Sequence, residues 1–205
     1  MIHEARRKRK PKGTRRIPVI LFSYFLFVLL IAWYFENQAT STLIVVRHAE
    51  KALQPADDPP LSKDGQLRAY LLAEMLADVD VVGGVDAIYV THTRRSEETA
   101  RPLANRLKLS LNYYEPTDYI GLQKVIEKKH KGKIVLVVAH SNTVPAIVAE
   151  FSGSKKIKPI ADDQYQDIFI LSRPWFGKVK TLALKYGEIR VGVPEVENQG
   201  PESGE

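Results

Sequence analysis

The chain has 205 residues, 44% of them hydrophobic, no cysteine and a formal net charge of +6, a length that fits one ordinary domain and a smaller segment. Eight of its thirty basic residues lie within residues 1–16, which leaves 22 basic and 23 acidic residues for the remainder because Glu4 is the only acid there. A nucleic-acid-binding protein would spread basic residues over a face of its fold, so the near-neutral body argues against that class.

The basic tail, residues 1–16, is followed by an uncharged apolar run over residues 17–35. This run is long enough to cross a bilayer as a helix, and Trp33 and Tyr34 stand near its end, where an interfacial aromatic belt would lie. A cleavable signal peptide is the competing interpretation. The run is longer than a usual signal-peptide core, however, and bulky residues stand where small residues lead to cleavage. We therefore predict a transmembrane helix.

The charge asymmetry around this run predicts its orientation. By the positive-inside rule the basic tail stays in the cytoplasm, so the domain would face the periplasm or cell exterior as a single-pass protein of the inner (cell) membrane. A mitochondrial inner-membrane protein with its domain in the intermembrane space fits the same pattern. Residues 36–41 are predicted to be a short linker, which would keep the domain near the headgroups and favour membrane-associated substrates.

The rest of the chain alternates short apolar runs with helical periodicities, which favours an α/β fold over residues 42–190 and a polar tail over residues 191–205. The predicted strands are Thr42–Val46, Ala87–Val90, Ile134–Ala139, Ile168–Leu171 and Thr181–Lys185. The predicted helices are Lys63–Leu76 behind Ser62, Ser96–Leu107, Tyr119–His130 behind Asp118, and Thr143–Glu150.

Three of these strands end in groups that are cationic or become cationic on protonation. The first leads into Arg47 and His48, the second into the segment 91–95 (THTRR), and the third into His140. The carboxyl ends of parallel strands share one edge of an open sheet, where ligands bind. Two of these loops also open helices, whose free N–H groups attract anions. The pattern predicts a phosphate pocket.

At these residues the sequence resembles the histidine phosphatase superfamily, which has the phosphoglycerate mutase-like fold, over roughly residues 42–187. Four segments carry the resemblance in the expected order, namely VVRHAEK (45–51), DPPLSKDGQLRA (58–69), THTRRSEETA (91–100) and VVAHSNTVPAIV (137–148). The resemblance implies a three-layer sandwich with a mostly parallel central sheet, preceded here by one transmembrane helix. It implies no cofactor and no metal.

The chemistry of phosphoryl transfer fits the residue types in these segments. A neutral imidazole can attack phosphorus, and neighbouring arginines lower the pKa of a histidine, so His48 is the predicted nucleophile that forms a phosphohistidine. Arg47 and Arg95 would bind phosphate oxygens with forked donors. Arg95 is chosen over its neighbour because it lies four residues before Thr99, as the family segment requires. His140 would complete the catalytic, phosphate-binding cage.

The residue that protonates the leaving group is less well marked in the sequence. Asp118, in the segment YYEPTDYIG, is the first candidate and Glu115 the second, although Asp118 fits a helix N-cap equally well. His92 and Arg94 are interpreted as rim residues that are not needed for the chemistry. Asp162 or Asp163 is expected to make a turn or to line the pocket.

Two other function classes remain open at this stage. The histidines and nearby carboxylates could serve a metal-dependent hydrolase, although two adjacent arginines would repel a dication. A non-catalytic, membrane-tethered module could use the same pocket to bind a phosphorylated partner. The favoured function is a membrane-anchored phosphatase for phosphate monoesters. Small phosphate esters, phosphoproteins and phosphorylated lipids all stay candidate substrates, and the membrane anchor favours testing the last two.

Overall fold

The computed structural model describes residues 16–38, 40–77, 84–154 and 157–187. The chain divides into two compact units, residues 1–39 and 40–205. The predicted basic tail, apart from its last residue, and the predicted polar tail over residues 191–205 lie outside the described residues.

The described part of the first unit is one helix, α1 (Arg16–Gln38). Its side chains over Ile17–Phe35 are exposed, and this span has a mean hydropathy of 2.3. By length and composition α1 is able to cross a membrane, a property that a signal sequence at the same position shares.

The second unit is built on a six-stranded mixed sheet with the order β3-β2-β4-β1-β5-β6. The first four strands of this order run parallel to one another, and β5 and β6 are antiparallel additions. The strands are β1 (Thr40–Arg47), β2 (Ala87–Val90), β3 (Leu111–Tyr113), β4 (Ile134–Ala139), β5 (Asp167–Pro174) and β6 (Lys180–Lys185).

Four helices cover the two faces of this sheet, which gives the three layers expected. They are α2 (Lys63–Ala77), α3 (Arg94–Leu107), α4 (Tyr119–Lys129) and α5 (Val144–Ser152). Leu43 and Val45 of β1 pack in the core with α4 and α5, whereas Ile44 and Val46 pack with α2 and α3. Both faces of β1 are therefore buried, which explains its continuous β-branched and aliphatic run.

The structure differs from the sequence-based expectation at three places. Strand β3 was not predicted, α3 begins at Arg94 rather than Ser96, and the segment expected to be a linker is helical as far as Gln38 and extended from Thr40. The parallel strands place their carboxyl ends at one edge of the sheet, where the predicted site residues follow them.

Candidate active site

A cavity of about 360 Å³ opens at the carboxyl edge of the parallel strands. It contains all four residues that the sequence assigns to phosphate chemistry, contributed by the ends of β1 and β4 and by the first turn of α3. The lining residues are Arg47, His48, Lys51, Arg95, Pro116, Thr117, His140, Ser141, Asn142, Thr143 and Asp162.

Arg47 is the last residue of β1, and its side chain is held by the segment that precedes β5. One terminal nitrogen donates to the carbonyl of Ala161 at 2.8 Å and to that of Gln164 at 3.0 Å. The guanidinium carbon lies 4.0 Å from the centre of the Tyr165 ring, a cation–π contact. Because Arg47 is buried and fixed on two sides, its charge is oriented before any anion binds.

Two hydrogen-bond neighbours determine the tautomer of His48. Its Nδ1 lies 2.8 Å from the carbonyl oxygen of Ala49, and a carbonyl only accepts, so Nδ1 carries the proton. Its Nε2 lies 3.3 Å from Nε of Arg95, and an arginine only donates, so Nε2 carries a lone pair. The ring is therefore held neutral with the unprotonated Nε2 beside Arg95.

The pKa values of both site histidines favour the same protonation state. Burial is the main cause that lowers the pKa of His48 to about 3; the charges of His140, Arg95 and Arg47 act in the same direction, and the hydrogen bond to Ala49 opposes them. Burial, followed by Arg95 and Arg47, lowers the pKa of His140 to about 4. Both imidazoles are consequently neutral at pH 7.

His140 is positioned by a cluster of threonine and serine hydroxyl groups. Its Nε2 lies 3.0 Å from the hydroxyl of Thr91 at the end of β2, which in turn contacts the hydroxyl groups of Thr93 and Ser96. The backbone N–H of His140 donates to the hydroxyl of Thr143. The ring centres of His48 and His140 are 5.3 Å apart, so the two imidazoles line the pocket side by side.

Arg95 lies in the first turn of α3, and its side chain lines the pocket beside Nε2 of His48. One of its terminal nitrogens is 3.8 Å from a carboxylate oxygen of Asp58. The same carboxylate accepts from the backbone N–H of Arg94 at 3.1 Å, so Asp58 both caps α3 and faces Arg95. The neighbouring Arg94 side chain is exposed and pairs with Glu98, as expected for a residue outside the chemistry.

The loop that carries His48 is tied to both α2 and α3. The backbone N–H of Ala49 donates to the hydroxyl of Thr99 in α3. Glu50 forms a bidentate ion pair with Arg68 of α2. Gly65 allows α2 to approach this closely, because a Cβ atom there would lie 2.1 Å from the carbonyl oxygen of Glu50.

Neither candidate for the acid lines the cavity. The Asp118 side chain is exposed and accepts from the backbone N–H of Gly121 at 2.9 Å, so it caps α4. Glu115 is exposed as well. Their loop contributes Pro116 and Thr117 to the cavity instead, and the catalytic role of Asp118 stays a prediction.

Several lining residues were not predicted from sequence, or were ranked low. Asp162, ranked first as a turn residue, lines the cavity and accepts from the hydroxyl of Ser141 at 3.4 Å. Tyr165, whose ring centre is 6.1 Å from that of His48, was not singled out. Its ring contacts Arg47 only because β5 returns antiparallel to β1, a long-range pairing that no local pattern reports. His92 stacks on Tyr113 outside the cavity lining, consistent with a rim residue.

Comparison with known proteins finds a family model that matches the amino-terminal part of this domain. A family model for the histidine phosphatase superfamily (branch 1) matches residues 43–116, the segment that contains Arg47, His48 and Arg95. Over this segment the chain is similar to the histidine phosphatase superfamily. His140 lies beyond the matched segment, and the structure brings it to the same pocket as Arg47, His48 and Arg95. No curated protein sequence matches the chain.

Solved structures at low sequence identity have a fold similar to that of this domain. The protein histidine phosphatase SixA, complexed with tungstate, aligns with a TM-score of 0.57 at 22% identity over 70% of this chain and 96% of its own. The structure of a SixA protein of Nakamurella multipartitia aligns with a TM-score of 0.55 at 20% identity, and the alignment covers 72% of this chain and 96% of that protein. A mycobacterial glucosyl-3-phosphoglycerate phosphatase aligns with a TM-score of 0.54 at 14% identity, and the alignment covers 72% of this chain and 98% of that protein.

Proposed function

We propose that this chain is a membrane-anchored phosphatase that hydrolyses phosphate monoesters through a phosphohistidine on His48. The observation that carries the proposal is the orientation of His48, whose unprotonated Nε2 faces Arg95 in a pocket shared with Arg47 and His140. The match to the superfamily model over residues 43–116 and the phosphatases among the structural neighbours support the same reaction class.

The reaction has two steps at phosphorus. In the first, the Nε2 lone pair of His48 forms a bond to phosphorus while the bond to the leaving oxygen breaks, and that oxygen takes up a proton. In the second, water attacks phosphorus, the P–N bond breaks and inorganic phosphate leaves with the neutral imidazole restored. Arg47 and Arg95 bind the non-bridging oxygens throughout, and their fixed positions stabilise the charge that develops on them.

The pocket offers one carboxylate, Asp162, among the lining residues of the described chain. We include Asp162 beside Asp118 as a candidate proton donor for the leaving group. Asp162→Asn and Asp118→Asn form a matched pair for this question, assayed on an alkyl phosphate and an aryl phosphate. The true donor is the residue whose loss slows the alkyl ester more than the aryl ester, since an alkoxide needs protonation more than a phenolate does.

The test of the function is hydrolysis of an aryl phosphate by the full chain in the presence of excess chelator. We expect turnover that vanadate inhibits and that His48→Ala abolishes while the fold is retained. A strict requirement for a divalent metal would favour the metal-dependent hydrolase instead, although no group of three or more potential ligands is clustered among the described residues. Tight phosphate binding without turnover would favour the binding module.

The membrane part of the proposal rests on α1 and on the basic residues before it. We propose that α1 is retained and that the domain lies outside the cytoplasm. A carboxyl-terminal reporter that works only outside the cytoplasm should be active, and one that fluoresces only in the cytoplasm should be silent. The opposite result, or recovery of a processed protein lacking residues 1–35, would contradict this topology.

A further inference from the structure

The turn between β5 and β6 carries two exposed aromatic side chains. Trp175 is 64% exposed and Phe176 is 89% exposed, and they directly follow the last residue of β5. Single exposed apolar residues are ordinary on protein surfaces, but adjacent large aromatic side chains at the tip of a hairpin form a local apolar patch of the kind that marks an interaction site. The proposed phosphatase chemistry uses neither residue.

The position of this aromatic tip in the fold is set by strand pairing. Pro174 pairs with Thr40, the first residue of β1, so Trp175 and Phe176 lie at the amino edge of the parallel strands. In the sequence only Ala39 separates Thr40 from Gln38, the last residue of α1. Thr40 is therefore both a residue of this edge and the second residue after the end of the candidate membrane helix in the sequence.

Exposed basic side chains lie at the same edge of the sheet as the aromatic tip. The loop between α4 and β4 belongs to it, because Gly132 donates to the Ser41 hydroxyl and Thr42 donates to the carbonyl of Lys133. The exposed basic residues of this loop, of the end of α4 and of the β5–β6 hairpin are Lys128, Lys129, Lys131, Lys133, Arg173, Lys178 and Lys180.

The acidic residues described beside them are few and already paired. Glu127 forms an ion pair with Arg173, and Asp86 accepts from the backbone N–H of Ile134 and lies 4.0 Å from Lys133. The lysines therefore leave an excess of positive charge on this edge. Aromatic side chains next to lysines are the combination that binds the interface of an anionic bilayer, the rings among the headgroups and the ammonium groups on the phosphates.

We propose that the hairpin tip docks on the lipid surface, with Trp175 and Phe176 inserted among the headgroups of an anionic bilayer. This inference rests on the anchor in the proposed function and deepens it. A lipid surface is favoured over a protein partner because the patch is a narrow tip, because the same chain carries a candidate membrane span, and because the positive charge at this edge is complementary to anionic headgroups.

Docking by this edge has a consequence for the substrate. The catalytic pocket lies at the other end of β1, and eight residues of strand place it roughly 23 Å from the docked edge. The pocket then opens away from the bilayer, toward phosphate groups on soluble molecules or proteins. This reverses the expectation from the short linker that the pocket stays near the headgroups.

The experiment uses the fluorescence of Trp175 in the full chain. The sequence has two tryptophans, so Trp33→Phe leaves Trp175 as the only one. The variant is reconstituted into vesicles of phosphatidylglycerol and phosphatidylcholine, with and without lipids brominated near the headgroup. We expect a blue-shifted emission that brominated lipid quenches and acrylamide quenches poorly, with a loss of lipid quenching when phosphatidylcholine is the only lipid.

The matched control moves the probe to the other edge of the sheet. Leu53 is 91% exposed in the loop that follows the carboxyl end of β1, and Leu53→Trp is introduced into a chain that also carries Trp33→Phe and Trp175→Phe. We expect this probe to be quenched by acrylamide and not by brominated lipid. Equal lipid quenching of both probes would contradict the proposed orientation.

Three other outcomes overturn the proposal in different ways. Quenching of Trp175 by acrylamide alone would place the tip in water. Protection from both quenchers would indicate a protein partner or a second copy of the chain. Release of the chain from vesicles by carbonate would contradict the anchor itself. Hydrolysis of an aryl phosphate by the same vesicles is a separate test of the catalytic proposal.

Discussion

At the level of single residues, the chemistry of this pocket depends on which nitrogen of His48 is free. A carbonyl oxygen occupies one side of the ring and an arginine the other, so the protein itself selects the tautomer before a substrate arrives. The environment that lowers the pKa of His48 also makes folding sensitive to acid. The neutral state of His48, the proposed nucleophile, and this stability effect therefore have the same physical cause.

The lowered pKa values predict how stability depends on pH. Between pH 6.5 and about 4, the unfolded chain binds protons at His48 and His140 that the folded chain does not bind. Stability should therefore fall as the pH is lowered through this window, by up to about 1.4 kcal/mol per pH unit for each histidine. Urea unfolding at several pH values measures this slope, and His48→Gln should make it shallower. An unchanged slope would show that His48 is not buried in its neutral form.

The two adjacent arginines of α3 should differ sharply in their effect on activity. Arg95 contacts His48 inside the cavity, whereas Arg94 pairs with Glu98 at the surface. We expect Arg95→Ala to lower kcat/KM by roughly a hundredfold or more, as for the loss of one preorganised donor, and Arg94→Ala to change it only slightly. Steady-state kinetics on an aryl phosphate distinguishes the two, and the reverse order would mean that the family segment is misaligned by one residue.

The residues that sequence reasoning could find are those whose position is fixed locally. Arg47 and His48 lie at the end of β1 and His140 directly follows β4, so strand patterns were sufficient to group them, whereas Arg95 was chosen by its spacing from Thr99 in the family segment that the sequence resembles. Asp58 and Tyr165 were missed because their contacts with Arg95 and Arg47 join segments that are distant in the chain. No local pattern encodes such contacts.

At the level of secondary structure elements, the close approach of α2 to the loop after β1 positions His48, the proposed nucleophile. Gly65 makes that approach possible, and a methyl group there would overlap the carbonyl of Glu50. We expect Gly65→Ala to destabilise the domain by about 1–3 kcal/mol, as overpacking commonly does, and to lower activity by displacing the loop that carries His48.

Gly84→Ala is the matched control, because a Cβ atom at Gly84 would meet nothing within 4 Å. Thermal unfolding and activity of the two variants should differ accordingly. Equal effects would show that the contact between α2 and the loop does not limit the position of His48.

Two boundary differences in the elements have physical reasons. Strand β3 has three residues and is largely exposed, so it lacks the apolar alternation by which a strand is recognised. Helix α3 begins at Arg94 because a distant carboxylate, that of Asp58, accepts its backbone N–H. A capping group 36 residues away in the sequence leaves no sign in the local pattern.

At the level of the whole molecule, the candidate active site and the proposed membrane-binding tip lie at opposite edges of the parallel strands. The carboxyl edge gathers His48, His140 and two arginines in one pocket, whereas the amino edge carries the aromatic tip and exposed lysines. The α/β class and the convergence of the motifs could be predicted from the sequence. The basic and aromatic amino edge could not, because it is assembled by the antiparallel pairing of β5 with β1.

The most direct measurement of the proposed mechanism is the identification of the phosphorylated atom. The full chain is mixed with a phosphate monoester, quenched in base and examined by mass spectrometry and by ³¹P and ¹⁵N NMR. We expect an acid-labile, base-stable phosphohistidine on His48, with phosphorus bonded to Nε2, because Nδ1 donates its proton to the carbonyl of Ala49. Phosphate on Nδ1, on another residue, or turnover by His48→Ala equal to that of the unmodified chain would contradict this mechanism.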